Sequence, residues 1–163
     1  MKLFNKVAII GVGLIGGSIA WTIKKKRLAR QIVGVSRHKD TLLFARNNHI
    51  IDKGSTNLNI IKDADLIILA TPVNTILNLA GKVRKLIRKD CIVSDCGSTK
   101  AKIVSKLDAF FPNYVGSHPL AGSEKRGILN ARSDIFKNSL CVITPTKNTN
   151  HKAQEKIRKM WVK

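Results

Sequence analysis

A glycine-rich hexapeptide near the N-terminus constrains the fold more than any other part of this 163-residue sequence. It reads Gly11-Val12-Gly13-Leu14-Ile15-Gly16 and directly follows an aliphatic run at residues 7–10. The apolar residues Ile15, Ile19 and Ile23 then recur every four positions, as they do on one face of a helix. A strand, a G-x-G-x-x-G turn and a helix in this order predict the first unit of a dinucleotide-binding domain.

The glycines of the hexapeptide each have an expected purpose. Gly11 allows a tight turn, Gly13 lets the backbone approach a pyrophosphate, and Gly16 allows the helix to pack closely on the strand. The first amides of the helix, at Leu14 and Ile15, would face the phosphates. We therefore predict that these five residues bind a cofactor. The alternative is an ordinary glycine-rich turn.

Short aliphatic runs alternate with helical patterns along the rest of the chain. This alternation is typical of an α/β fold of the Rossmann type, a doubly wound, mostly parallel sheet with helices on both faces. The absence of a linker predicts one dinucleotide-binding domain over residues 1–163, with Asp40 as the N-cap of the second helix. The predicted strands are residues 7–10, 32–35, 66–70, 91–94, 114–115 and 140–143, and the later helices are residues 41–46, 76–87, 99–107 and 152–162.

The end of the second predicted strand bears on the choice of cofactor. An NAD-binding domain has an acid there, whose carboxylate accepts hydrogen bonds from the ribose hydroxyls. Here the strand is followed by Ser36 and Arg37. A serine can hydrogen-bond a 2′-phosphate and an arginine can pair with it, so we predict NADP, with NAD as the alternative. Arg37 could equally be one more surface charge.

Three polar segments follow predicted strands, at residues 71–73, 95–100 and 116–125. Ligands of open α/β sheets bind at the carboxyl ends of the strands, so these segments are expected to form the walls of a site. We predict that Thr71 and Pro72 contact the cofactor.

His118, expected on a loop, is the candidate catalytic base, because an imidazole can accept a proton from a hydroxyl while hydride leaves the same carbon. Ser98 is predicted to hold the same hydroxyl, and Ser123 to contact the substrate. Each residue also has a plainer reading. His118 could be a loop histidine with satisfied hydrogen bonds, Ser98 the N-cap of a helix starting at Thr99, and Ser123 the cap of a turn.

Composition narrows the classes of partner. The formal net charge is +20, but the lysines are spread along the chain without a zinc-finger spacing or a stacking motif, so we predict no nucleic-acid partner. The uncharged stretch at residues 7–23 is shorter than the roughly 20 residues of a membrane span and contains four glycines, so no span is predicted. The three cysteines have no metal-binding spacing and predict free buried thiols in a reducing cytoplasm, without a metal site.

Two segments resemble one enzyme family. The sequence G-S-H-P-L-A-G-S-E-K-R-G at residues 116–127 and D-C-G-S-T-K at residues 95–100 are similar to signature loops of the prephenate and arogenate dehydrogenases. The spacing from the glycine hexapeptide through A-T-P at residues 70–72 to I-T-P-T at residues 143–146 is similar as well.

The resemblance implies an NAD(P)-dependent oxidative decarboxylation of prephenate or arogenate in tyrosine biosynthesis. It implies that His118 binds and polarises the ring hydroxyl and that Ser98 assists. It also implies a helical second domain that forms a homodimer and grips the substrate carboxylates. These 163 residues do not include that domain, so we expect a chain truncated near the end of its first domain.

Two other functions stay open at this point. The chain could bind NADP without catalysis, because substrate positioning contributes much of an enzyme's rate. It could also be a basic nucleic-acid binder, a reading that only the charge supports. Other two-domain dehydrogenases, such as the hydroxyacid and ketopantoate types, typically use a lysine of the second domain, and the loop around His118 argues against them.

Overall fold

The computed structural model describes residues 2–122 and 124–162, and within these ranges it contains one seven-stranded sheet. The strands are β1 (Phe4–Ile10), β2 (Ala29–Val35), β3 (Lys53–Ser55), β4 (Leu66–Leu69), β5 (Ile92–Asp95), β6 (Tyr114–Pro119) and β7 (Cys141–Thr144). The α-helices are α1 (Leu14–Lys25), α2 (Lys39–Asn47), α3 (Val73–Leu86), α4 (Lys100–Phe110) and α5 (His151–Val162). Short 3-10 helices span Leu58–Ile61 and Ile128–Asn130.

The sheet has the order β3-β2-β1-β4-β5-β6-β7. Every pairing is parallel except that of β6 with β7, which is antiparallel. The chain first builds outward from β1 through β2 to β3 and then returns to β4 on the other side of β1. This reversal creates a crevice at the carboxyl ends of β1 and β4, where open α/β sheets bind their ligands.

Two separate hydrophobic cores lie on the two faces of the sheet. Along β1, Val7 and Ile9 enter the core that includes α1, α2 and α5, whereas Ala8 and Ile10 enter the core that includes α3 and α4. The residues of β4 are at most 1% exposed, and each such aliphatic side chain stabilises the fold by about 1.5–3 kcal/mol. Helices on both faces confirm the predicted doubly wound, mostly parallel α/β architecture.

The structure differs from the sequence predictions at the N-cap of α2 and at one strand, β3. Asp40 is wrong as the N-cap of α2, because His38 occupies that position and Asp40 lies in the first turn, where its charge still favours the helix. The strand β3 was not predicted, because Lys53, Gly54 and Ser55 form no aliphatic run. It pairs with β2 at the edge of the sheet, where little apolar surface is needed.

Within the described ranges, the helices are all too short or too polar to traverse a lipid bilayer. The longest α-helix, α3, has 14 residues, whereas a membrane span needs about 20.

The three cysteines are free thiols, and burial suppresses their ionisation. Desolvation raises the pKa of Cys91 to about 12 and that of Cys141 to about 11, and it also raises the pKa of Cys96.

Because the thiolate is the reactive form, iodoacetamide at pH 8 is expected to label the folded chain at least about 100-fold more slowly than the chain unfolded in guanidinium chloride. Mass spectrometry of each cysteine peptide over time measures both rates. Rapid labelling of Cys91 in the folded chain would contradict this burial.

Candidate active site

The glycine turn packs tightly against the end of β4. Gly11 has a φ of +99°, and a Cβ placed on it would lie 2.8 Å from the carbonyl oxygen of Ala70. A Cβ on Gly16 would lie 2.0 Å from the carbonyl oxygen of Gly11. The turn therefore requires glycine at both positions, as the sequence predicted.

Gly13 has different surroundings. A Cβ placed there would meet no atom within 4 Å, so the backbone faces open space. Gly13 is also the N-cap of α1, and the amides of the first turn, starting at the half-buried Leu14 and Ile15, have no acceptor within the helix. A helix N-terminus with free amides and an unobstructed approach fits an anionic group such as a diphosphate.

Thr71 adds an unpaired polar atom at the same edge of the sheet. Its Oγ1 is buried and has no hydrogen-bond partner among the described residues. A buried hydroxyl without a partner costs stability, so it is typical of a site that a ligand completes. Pro72, which follows, is exposed and is the N-cap of α3. Gly11, Gly13, Gly16 and Thr71 thus lie together at the crevice and fit a dinucleotide.

Ser36 and Arg37 follow β2, which neighbours β1 on the side opposite β4. Ser36 is half-buried, and its Oγ accepts a hydrogen bond from the backbone N–H of His38 at 3.2 Å. The hydroxyl proton of Ser36 stays available to an acceptor such as a phosphate oxygen. The exposed side chain of Arg37 is adjacent.

His118 belongs to β6, and the prediction that it lies on a loop is wrong. The strand continues to Pro119 because the antiparallel β7 pairs with it, placing His118 opposite Val142. The side chain is half-buried. Placement near the carboxyl end of a strand is more rigid than placement on a loop, which suits the role predicted for His118.

Ser98 lies beyond the neighbouring strand β5 and is exposed. Its alternative role as the N-cap of a helix starting at Thr99 is not realised, because Thr99 is itself the N-cap and α4 begins at Lys100. In the register of β5 and β6, Asp95 pairs with Gly116, so Ser98 and His118 both lie just past that pair at the same edge of the sheet.

A buried polar network that the sequence analysis missed lies behind these two residues. Asp95 is completely buried, and its carboxylate accepts hydrogen bonds from the backbone N–H of Gly97 at 2.8 Å, from Nζ of Lys100 at 2.6 Å and from the hydroxyl of Tyr114 at 2.8 Å. Burial, and next the charge of Asp95, raise the pKa of Tyr114, so its hydroxyl stays protonated and donates. The only signal in the sequence was a pair of opposite charges, Asp95 and Lys100, flanking a predicted loop.

The chain after β6 returns to the start of α1. Leu14 and Gly122 line a cleft of about 400 Å³ together with Lys125 and Arg132. This cleft connects the glycine turn with the segment that follows His118. Ser123, the other predicted substrate contact, lies outside the described residues. A larger groove of about 710 Å³ lies between the C-terminal half of α1 and α5 and includes no residue of the glycine hexapeptide, whereas the cleft begins at Leu14, so we place the candidate site at the crevice and the adjoining cleft.

No group of three histidine, cysteine or acidic side chains is arranged to hold a metal ion among residues 2–122 and 124–162.

Comparison with known proteins identifies the family. The family profile described as prephenate dehydrogenase, nucleotide-binding domain, matches residues 19–163. The chain belongs to the prephenate dehydrogenase family. The match begins within α1 and covers the loop after β5 and the segment around His118, so the resemblance of the two signature loops is confirmed.

Several characterised family members align along nearly the whole chain. The prephenate dehydrogenase of Bacillus subtilis is 33% identical over 98% of this chain and 44% of its own length. The cyclohexadienyl dehydrogenase of Zymomonas mobilis is 30% identical over 99% of this chain and 56% of its own length. The chain therefore spans about half the length of the curated relatives that it matches.

Solved structures of family members share the fold. The prephenate dehydrogenase of A. aeolicus, crystallised with hydroxyphenyl propionate and NAD+, superposes with a TM-score of 0.93 at 30% identity, covering 97% of this chain and 56% of that one. The arogenate dehydrogenase of Synechocystis superposes with a TM-score of 0.90 at 30% identity, covering 95% of this chain and 55% of that one. The crevice described above therefore belongs to the nucleotide-binding half of the prephenate dehydrogenase fold.

Proposed function

We propose that residues 1–163 form the dinucleotide-binding domain of an NAD(P)-dependent dehydrogenase that oxidatively decarboxylates prephenate or arogenate. The observation that carries the proposal is the crevice at β1 and β4, where the glycine turn leaves an open approach at Gly13 and packs at Gly11 against Thr71, whose buried Oγ1 has no partner among the described residues. A diphosphate at the start of α1 would accept hydrogen bonds from the helix amides, and Thr71 would gain a partner. The names of the relatives support the substrate class.

The proposed chemistry assigns a role to each residue near the carboxyl ends of β5 and β6. When bound, the nicotinamide supplies a hydride acceptor. His118 accepts the proton of the substrate hydroxyl, and Ser98 hydrogen-bonds the same oxygen and orients it. The ring carbon that bears this hydroxyl gives up its hydrogen as hydride, the ring carboxylate leaves as carbon dioxide, and the electron pair of the broken carbon–carbon bond enters the ring and makes it aromatic, which drives the reaction. Ser123 contacts the substrate in this proposal.

A parallel titration with NADP and NAD tests the proposal. The purified chain is titrated with each nucleotide while tryptophan fluorescence or heat is measured, and the same sample is then assayed for turnover of prephenate and of arogenate. We expect saturable binding of at least one nucleotide. Binding without turnover would favour a cofactor-binding module that needs a further substrate domain. If neither nucleotide binds, the proposal is wrong.

NADP is the proposed preference, and Arg37→Asp is expected to reverse it. The substitution replaces a cation that would pair with the 2′-phosphate by a carboxylate that suits free ribose hydroxyls, so NADP affinity should fall by about 10- to 100-fold relative to NAD affinity. Dissociation constants for both nucleotides measure the change. The control is Lys82→Glu, which changes the charge by the same amount. Lys82 is an exposed residue of α3, away from the end of β2. If both variants shift the preference equally, only net charge matters and Arg37 does not read the 2′-phosphate.

The proposal also covers the compartment and the partners. Three free thiols support a reducing compartment such as the cytoplasm. We propose a homodimer formed through a helical domain that lies outside these 163 residues, and no nucleic-acid partner. A complex held by phosphate contacts would weaken steeply with salt, and filter binding of duplex DNA over a salt series would detect it.

A further inference from the structure

Lys100 makes two contacts that join neighbouring strands. Its Nζ lies 2.6 Å from the carboxylate of Asp95, the last residue of β5, and it also donates a hydrogen bond to the backbone carbonyl of Ser117 in β6. The side chain of Lys100 is 16% exposed and that of Asp95 is completely buried. The ammonium group therefore lies between the two strands rather than in solvent.

The atoms held by this network are one residue away from the two proposed functional side chains. The carboxylate of Asp95 binds the N–H of Gly97, which precedes Ser98. Ser117, whose carbonyl Lys100 binds, precedes His118. The Oγ of Ser117 is fixed independently, because it lies 2.8 Å from Oγ of Ser94 and accepts a hydrogen bond from Trp161.

The position of Lys100 in its helix is unfavourable for helix stability. Lys100 is the first residue of α4, and the first turn of α4 contains no acidic side chain. A positive charge at a helix N-terminus is disfavoured by the helix dipole. A lysine at this position is therefore better explained by its contacts to β5 and β6 than by α4 itself.

We propose that Lys100 is a positioning residue that fixes the Ser98 loop relative to the His118 strand end. The proposal rests on the proposed roles of Ser98 and His118. A single cation that binds the ends of both strands sets the spacing of the two side chains that meet the substrate hydroxyl. Such spacing matters because a displacement of about 1 Å can cost about 100-fold in rate.

Three variants of the 163-residue chain test the proposal: Lys100→Met, Lys100→Arg and the control Lys102→Met. Lys102 lies on the same helix but is exposed, so its variant makes the same chemical change without touching β5 or β6. The readouts are the backbone amide cross-peaks of Ser98 and His118 in ¹H–¹⁵N spectra and the hydrogen exchange of the Gly97 amide relative to amides of β1.

In Lys100→Met we expect both cross-peaks to shift and Gly97 to exchange about 10-fold faster relative to β1, because a charged hydrogen bond that orders the loop is lost. Lys100→Arg, which keeps the charge but moves the donors, should shift the same peaks less, and Lys102→Met should leave them in place. A uniform rise in exchange with both peaks unmoved would show a purely stabilising role and overturn the proposal. If Lys100→Met does not fold, the Lys100→Arg spectrum decides in the same way.

Titration of the same samples with NADP and NAD separates this proposal from the proposed function. If the wild-type chain binds neither nucleotide, the proposed function fails whatever the cross-peaks show. If the wild-type chain binds and Lys100→Met leaves both cross-peaks in place, only the positioning role of Lys100 fails.

Discussion

Gly16→Ala is expected to destabilise the fold severely, whereas Gly13→Ala, three residues away, is expected to disable nucleotide binding and leave the fold nearly intact. A Cβ on Gly16 would lie 2.0 Å from a backbone oxygen and 3.0 Å from both Ile9 and Ala70, so α1 would have to move away from the sheet. We expect a loss of about 3 kcal/mol in the free energy of unfolding, as for an overpacked core.

At Gly13 we expect the opposite: a small loss of stability and a large loss of nucleotide affinity. An added methyl group meets no protein atom within 4 Å, and the backbone, with φ of −97° and ψ of −149°, lacks the positive φ that only glycine adopts easily. The cost in unfolding free energy should be about 1 kcal/mol, the usual cost of a poorer N-cap. The methyl group would occupy the approach to the α1 amides, so nucleotide affinity should fall by about 100-fold, which corresponds to two lost hydrogen bonds to an anion.

Guanidinium chloride unfolding followed by tryptophan fluorescence measures the stability of both variants, and the nucleotide titration measures affinity. The comparison contains its own control, because the same substitution is made twice in one turn. Equal loss of stability in both variants would contradict the packing difference between the two glycines, and retained affinity in Gly13→Ala would place the nucleotide elsewhere.

The second large effect is expected for Asp95→Asn. The carboxylate of Asp95 receives three donors, from Gly97, Lys100 and Tyr114, in a site without solvent. An asparagine amide has one acceptor oxygen in place of two, so at least one of these donors loses its hydrogen bond to an oxygen of residue 95, and Lys100 loses its counter-charge. Breaking a buried ion pair by neutralising one partner costs about 3–5 kcal/mol.

Asp90→Asn is the matched control for this effect. Asp90 also pairs with a cation, Arg88, but its side chain is 73% exposed, and exposed pairs contribute little. Thermal unfolding of both variants measures the difference. We expect a large fall in Tm for Asp95→Asn and almost none for Asp90→Asn, and comparable changes would mean that the Asp95 network is not an essential part of the fold.

The parts of the fold that the sequence predicted are those with local causes. The unit β1–glycine turn–α1 follows from one aliphatic run, four glycines and an apolar repeat, which follow one another directly within residues 7–23. The buried strand β4 is an aliphatic run on both faces, as expected for the centre of a parallel sheet. In contrast, β3 depends on β2, which is distant along the chain, for its pairing.

The candidate site could be predicted in part for the same reason. Gly11 and Thr71 could be proposed as site residues because each follows a recognisable strand. The strand placement of His118 depends on its pairing with Val142, and the role of Asp95 depends on Tyr114, 19 residues away on another strand. Partners of this kind become visible only after the strands are assembled, so the sequence indicated residues that line the candidate site and not the buried polar network around Asp95 that supports them.

The single antiparallel strand decides where the last helix ends. Because β7 runs against its neighbours, the chain leaves it at the amino edge of the sheet, and α5 then crosses back over one face. Lys156, midway along α5, still lies 6.0 Å from the ring of Phe4 at the amino end of β1, whereas Trp161 already donates to Ser117 beside His118. The last turn of α5 therefore contacts the strand that carries His118, and the indole fluorescence of Trp161 would report on changes at that strand.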